Sequence, residues 1–256
     1  MTALSNLVFT GDRSPRAFTR RRRMILRDPA DNEGGIFVPK IISKPLHPGY
    51  GFKFAIFAGL HGDEEAGTLA AFDIVRWASE QPVELNDFEL HIYPVCNPTG
   101  RRSNTRHSRS GRDLNREFWN GSAEPEVRYL EGELLREKYD GIISLHSDDT
   151  SDGCYGFVSG PLLSQHLLEP ALRSAETVLP RNPSPVIDGF LATRGIITDG
   201  YPGVLSAPPE QRPRALEIVF EMPALAPMNA QVQATVLAVR SILAGYRQLQ
   251  AFAPNL

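Results

Sequence analysis

The chain reads as an α/β protein built on an open sheet, and three observations predict this. Short runs rich in β-forming residues, at 54–58, 86–96, 141–146 and 215–223, are separated by longer segments with helical apolar spacing. The runs at 54–58 and 141–146 are apolar almost throughout, as strands covered on both faces are. Chemistry-bearing residues stand at or just past the ends of these runs: His61, His146 and Glu221. Open α/β sheets bind their ligands at the carboxyl ends of the strands.

Length and composition set the bounds. The 256 residues show no compositional break and predict one catalytic-size domain over 1–256, with 41% hydrophobic residues to fill its core. A formal net charge of -3 argues against nucleic acid as a partner, and no apolar segment is long enough to span a membrane. Cys96 and Cys154 are too few and too far apart for a disulfide framework, which points to a reducing compartment. They read as small buried hydrophobes. The apolar start Leu7-Val8-Phe9 is cut short by Gly11-Asp12-Arg13, so no secretory signal is expected and the cytoplasm is the expected location.

The first elements are modest. Four arginines at 20–23 lie between Phe18 and Met24, and a charge-protected edge strand explains them better than a nucleic-acid patch. Strands are expected at 36–42 and 53–57, separated by a turn at Pro45, Pro48 and Gly49.

The stretch Gly59-Leu60-His61-Gly62-Asp63-Glu64 then joins the strand at 54–58 to a helix at 65–79, whose apolar positions are Leu69, Phe72, Ile74 and Trp77. His61 and Glu64, three apart, can converge on one point from a first helical turn. An imidazole and a carboxylate meeting there suit zinc, whose catalytic sites commonly combine two His and one Glu with a water. A macrodipole-favoured carboxylate beside a loop histidine is the plainer alternative.

The strand at 86–96 runs into Asn97-Pro98-Thr99-Gly100, a turn by composition. The following loop at 101–120 carries six arginines, Arg101, Arg102, Arg106, Arg109, Arg112 and Arg116, with no aromatic among them before Phe118. A single-strand nucleic-acid groove would interleave stacking rings. A small anionic substrate fits better, because guanidinium groups hold carboxylates bidentately. Two of the six are assigned to it, and the others face water.

A helix at 124–139 leads to the strand at 141–146, whose last residue, His146, falls at the same sheet edge as His61 and can supply a third ligand. A strand at 154–158, a helix at 162–179, pocket-walling loops over 180–213, a strand at 215–223 and a closing helix at 228–250 complete the chain. Glu221 ends the last strand. Glu217 faces the same side, ~13 Å further back, and reads as a solvent-facing carboxylate.

Taken together, Gly-Leu-His61-Gly-Asp-Glu64, Asn97-Pro-Thr-Gly, the run from Thr105 through Gly111-Arg-Asp113-Leu-Asn115-Arg116, Ser-Leu-His146-Ser and Phe-Glu221-Met-Pro resemble the M14 family of zinc carboxypeptidases. The likeness is greatest to the short bacterial branch that includes murein-peptide amidases. The succinylglutamate desuccinylase and aspartoacylase branch has a similar set. The resemblance implies a three-layer α/β/α fold around a mostly parallel mixed sheet of about eight strands. It implies one zinc ion per chain on His61, Glu64 and His146, with Asp113 orienting the first histidine. Asn115 and Arg116 would grip a terminal carboxylate, Arg106 would stand beside the oxyanion with Arg102 as its rival, Tyr201 would cover the substrate, and Glu221 would be the general base.

The implied activity is metal-assisted hydrolysis of an amide bond near a free carboxylate in a small peptide. An N-acyl amino acid deacylase is the alternative, and a non-catalytic binding protein keeping the fold is a third.

Overall fold

The hydrophobic runs assemble into one mixed sheet. The structure is a computed structural model that describes residues 24–27, 36–46 and 51–252. The N-terminal start at 7–13, the arginines at 20–23, and Pro48 and Gly49 lie outside the described residues.

In chain order the elements begin β1 (Met24–Arg27), β2 (Lys40–Ser43), β3 (Phe52–Ala58), α1 (Glu65–Glu80), β4 (Phe88–Tyr93), α2 (Pro98–Ser103), α3 (Pro125–Glu137), β5 (Gly141–Asp148) and β6 (Tyr155–Val158). A broken helix follows, made of α4 (Pro161–Leu163), a π turn (Ser164–Leu168) and α5 (Glu169–Ala175). Then come β7 (Val186–Ile187), β8 (Phe190–Thr193), β9 (Ile196–Ile197), β10 (Leu216–Pro223) and α6 (Met228–Phe252).

The strand order is β1-β2-β4-β3-β5-β10-β6-β9-β8-β7. The centre, β4-β3-β5-β10, is parallel, so the ends of β3, β5 and β10 share one edge. Most of the flanking pairs are antiparallel, and β6–β9 is the parallel exception. The count is ten rather than about eight because the Pro/Gly-dense stretch expected as loop adds three short strands beyond β6. Arg181 pins that excursion: its guanidinium donates to Glu169 at 2.5 Å, to Glu176 at 2.7 Å and to the Arg194 carbonyl at 3.2 Å.

Three layers result. On one face Phe54, Ile56, Leu145, Ile218 and Phe220 pack against α1, α5 and α6. On the other Ala55, Phe57, Tyr93 and Ile142 pack against Val127, Leu130 and Leu134 of α3. Each fully buried side chain of this size stabilises by about 1.5–3 kcal/mol.

The buried stripe of α1 differs from the expected one. Ile74 and Trp77 are buried, but Leu69 and Phe72 are 38% and 46% exposed, and Ala66, Ala70, Ala71 and Ala78 face the sheet. Small residues let the helix approach closely; a Cβ on Gly67 would come within 3.1 Å of the Leu145 carbonyl oxygen on β5. The turn expected at 97–100 begins α2 instead. Asn97 caps it, accepting from the Gly100 amide at 2.8 Å, and Pro98 occupies its first turn.

Candidate metal centre and active site

Two strand ends and the turn after β3 build the site. His61 and Glu64 do not lie in a first helical turn as expected. They sit in the turn just ahead of α1, with Glu64 at its N-cap. The turn is held by close backbone approach: a Cβ on Gly62 would lie 2.0 Å from the Gly100 carbonyl carbon, so only glycine fits. His146 comes from β5, beside Glu221 of β10 in parallel register.

These three residues meet. One ligand atom each of His61, Glu64 and His146 lies within 4.8 Å of the others, and all three are buried. Nδ1 of His61 contacts Glu64 Oε1, while Nδ1 of His146 lies 3.0 Å from Oε2 of the same carboxylate. Burial opposes ionisation of Glu64, but the two imidazoles hold its carboxyl well below the ordinary range.

The far sides of the rings differ. Nε2 of His61 lies 3.2 Å from Asp113 Oδ1, whereas Nε2 of His146 is enclosed with no partner among the described residues. Burial works against a proton on His61, yet Asp113 and Glu64 outweigh it and raise its pKa. Asp113 itself is held low despite its burial, by His61 and by Arg106. Two imidazole nitrogens and a carboxylate converging on one point form the donor set zinc prefers, and an acceptor behind the first ring is the usual support for a ligating histidine.

Asp113 holds more than the ring. Arg106 donates to its Oδ2 through Nε at 3.2 Å and Nη2 at 3.0 Å, while its Nη1 stands 3.9 Å from Glu64. Oδ1 also accepts from the Asn115 amide at 3.0 Å, capping the short 3-10 turn Leu114–Arg116. Arg106 therefore lines the cavity, and its rival Arg102 is exposed in the last turn of α2, outside the lining. Asn115 accepts from the Leu205 amide at 2.9 Å. The guanidinium of Arg116 lies 4.1 Å from the Tyr201 ring centroid, and the Tyr201 hydroxyl donates to the Asp188 carbonyl at 2.8 Å.

Glu221 lines the same cavity, of about 830 Å³, with His61, Glu64, Arg106, Asn115, Arg116 and Tyr201. Burial pushes its carboxyl well up. The charges of Glu64, Asp148 and Asp188 add to the rise, and His146 works against it. Sequence reading missed Tyr155, Asp148 and Asp188 around it. Tyr155 stands opposite Glu221 across β6 and donates to Asp148 at 2.9 Å. Asp148 carried a faint signal, two residues beyond His146 on a strand; the antiparallel register that delivers Tyr155 carried none.

No curated protein matches the chain. Solved structures share its fold. A Shewanella denitrificans protein assigned to the metallopeptidases is 20% identical, with a TM-score of 0.72 over 86% of this chain and 83% of that one. A metallo-carboxypeptidase from Burkholderia cenocepacia is 16% identical, with a TM-score of 0.66 over 90% of this chain and 66% of that one. A metallo-carboxypeptidase from Pseudomonas aeruginosa, in complex with (2-guanidinoethylmercapto)succinic acid, is 21% identical, with a TM-score of 0.61 over 84% and 62%. Residues 50–183, just over half of the chain, match the succinylglutamate desuccinylase/aspartoacylase catalytic domain. The chain therefore belongs to the succinylglutamate desuccinylase/aspartoacylase catalytic-domain family and is an enzyme of the metallopeptidase and amidohydrolase type.

Proposed function

We propose that residues 1–256 work as one catalytic domain that hydrolyses an amide bond next to a free carboxylate, with one zinc ion held by His61, Glu64 and His146. The observation that carries this reading is the meeting of those three donors within 4.8 Å, two of them, His61 and Glu64, lining the cavity that Glu221 also lines. When bound, zinc lowers the pKa of water from 15.7 towards roughly 7 and polarises the scissile carbonyl.

The chain's own groups supply the rest. Asp113 accepts a hydrogen bond from Nε2–H of His61, which leaves the lone pair of Nδ1 for the metal. Glu221 removes a proton from the attacking water and returns it to the leaving amine. With Nε and Nη2 tied to Asp113, Arg106 keeps Nη1 for the oxygen on which negative charge develops. A donor of this kind is worth about 3 kcal/mol in the transition state. Arg116 and the side-chain NH2 of Asn115 hold the substrate's carboxylate, with Tyr201 covering the Arg116 guanidinium. The substrate is then a small acid, a peptide or an N-acyl amino acid. Family membership favours the N-acyl amino acid. A related fold in complex with a substituted succinic acid agrees with a small carboxylate in such a pocket.

Among the described residues no helix is long and apolar enough to cross a membrane. The test is a panel of free-C-terminal peptides, γ-linked cell-wall peptides and N-acyl amino acids, run on protein purified without chelator and assayed for zinc. Near one zinc per chain with hydrolysis of one class is expected. Zinc-free protein, or no hydrolysis of any class, would overturn the reading.

A further inference from the structure

The reactive cavity does not end at Glu221. Residues 217, 219 and 221 of β10 face the same side, and the cavity lining continues past Val219 to Glu217. Val219 stands in register with Phe157 of β6; both line the cavity, as does Leu205 from the loop that Asn115 holds. The lining thus runs from Arg116 past the apolar Val219 and Phe157 to a carboxylate ~13 Å along the strand from Glu221, where Asp140 and Arg214 also line it.

Glu217 is built into that end. Its Oε1 accepts from the Ala207 amide at 2.8 Å, and its other oxygen has no partner among the described residues. Arg214 lines the same end, and its charge acts on Glu217. Burial raises the Glu217 carboxyl, against the pull of the Ala207 amide and Arg214. A carboxylate with one open oxygen, reached past Val219 and Phe157, suits a cation delivered on a long aliphatic stem.

We propose that Glu217 determines specificity, pairing with the ammonium or guanidinium tip of the side chain carried by the leaving amino acid. This rests on the amide-hydrolase reading above, with the leaving carboxylate on Arg116. A lysine side chain, roughly 6 Å from Cα to Nζ, would lie along Val219 and Phe157 and point its charge at the free oxygen.

The test compares L-lysine with L-norleucine, which has the same stem without the ammonium. Binding of each to the zinc-loaded protein is measured by calorimetry, and hydrolysis of their N-acetyl derivatives is measured alongside. Lysine is expected to bind roughly 10- to 100-fold more tightly, as a charged buried hydrogen bond implies. Glu217→Gln keeps an oxygen for the Ala207 amide but loses the charge, and should bring the lysine-to-norleucine ratio close to one. A ratio near one in the unaltered protein, or a ratio that Glu217→Gln leaves unchanged, overturns the proposal. A lysine preference that depends on Glu217 with no hydrolysis of either amide would sustain the subsite and sink the hydrolase reading. Equal hydrolysis and equal binding of the two would do the reverse.

Discussion

Replacing Asp113 with asparagine separates the ties that meet on that carboxylate. Oδ1 faces both His61 Nε2 and the Asn115 amide, while Oδ2 faces Arg106. In Asp113→Asn the amide oxygen can keep the two Oδ1 contacts, so the cap on the 3-10 turn survives. The NH2 group then meets the Arg106 guanidinium, donor against donor, and that tether is lost. Arg106 is 43% exposed, so its ion pair contributes only about 0.2–1 kcal/mol to stability. The larger effect falls on His61. A charge-assisted hydrogen bond of about 1.5–3 kcal/mol becomes a neutral one of about 1 kcal/mol, which weakens the ring's basicity towards zinc by roughly 0.5–2 kcal/mol. Zinc affinity should therefore fall roughly 2- to 30-fold, the upper part of which overlaps the 10- to 100-fold that removal of such supporting acceptors typically produces. Competition with a chromophoric chelator at pH 7 measures this, and thermal unfolding of the metal-free protein provides the control. Unchanged zinc affinity, with an unchanged unfolding midpoint, would show that Asp113 does not orient the metal ligand.

Three further outcomes are expected. Glu221→Gln should retain zinc and lose about 10²- to 10⁴-fold in kcat, read from zinc content and hydrolysis on the same sample; an active variant removes Glu221 from the chemistry. Arg116→Ala should raise KM for the substrate acid by roughly 10- to 100-fold with a smaller change in kcat, and an unaltered KM would place the carboxylate elsewhere. The third concerns stability. Lys40, 1% exposed, donates to Glu133 at 2.6 Å and to Glu137 at 2.9 Å. Burial opposes their ionisation, but Lys40 holds both carboxyls below the ordinary value, Glu137 at about 2. Groups depressed in the folded state stabilise it above the unfolded value of about 4.5, and that contribution is lost as pH falls through the folded values. Urea midpoints should therefore fall below pH 4.5 in the native protein and fall less in Lys40→Ala, itself destabilised by about 3 kcal/mol at pH 7. A parallel decline in both proteins would contradict this.

Local pattern determined a good part of the molecule. Apolar runs and helical spacing marked most of the strands and helices within a few residues, because periodicity of side-chain burial is a property of neighbouring residues. His61 and Glu64 were legible as a pair for the same reason. His146 and Glu221 were legible as residues at the same sheet edge, whereas Asp113, Arg106, Asn115 and Arg116 were legible only through their resemblance in order and residue type to a known family; the structure brings all of them into the cavity lining or into contact with residues that line it. Where local signals competed, the reading failed. Asn97-Pro-Thr-Gly has turn composition but caps a helix, and Leu69 and Phe72 follow helical spacing but face solvent while alanines take the sheet side.

The sequence by itself thus determined the layered α/β class, the metal-ligand pair and the residue types of the chemistry. Only the tertiary structure decided which residues share the cavity. Parallel pairing of β10 with β5 sets Glu221 beside His146, antiparallel pairing with β6 adds Tyr155 and Phe157, and the loop anchored on Asn115 brings Leu205 into the lining that extends to Glu217. The physical reason is that strand register and solvent access depend on partners scores of residues away. A one-residue slip in β10 would turn Glu217, Val219 and Glu221 into the core without changing a letter of the chain.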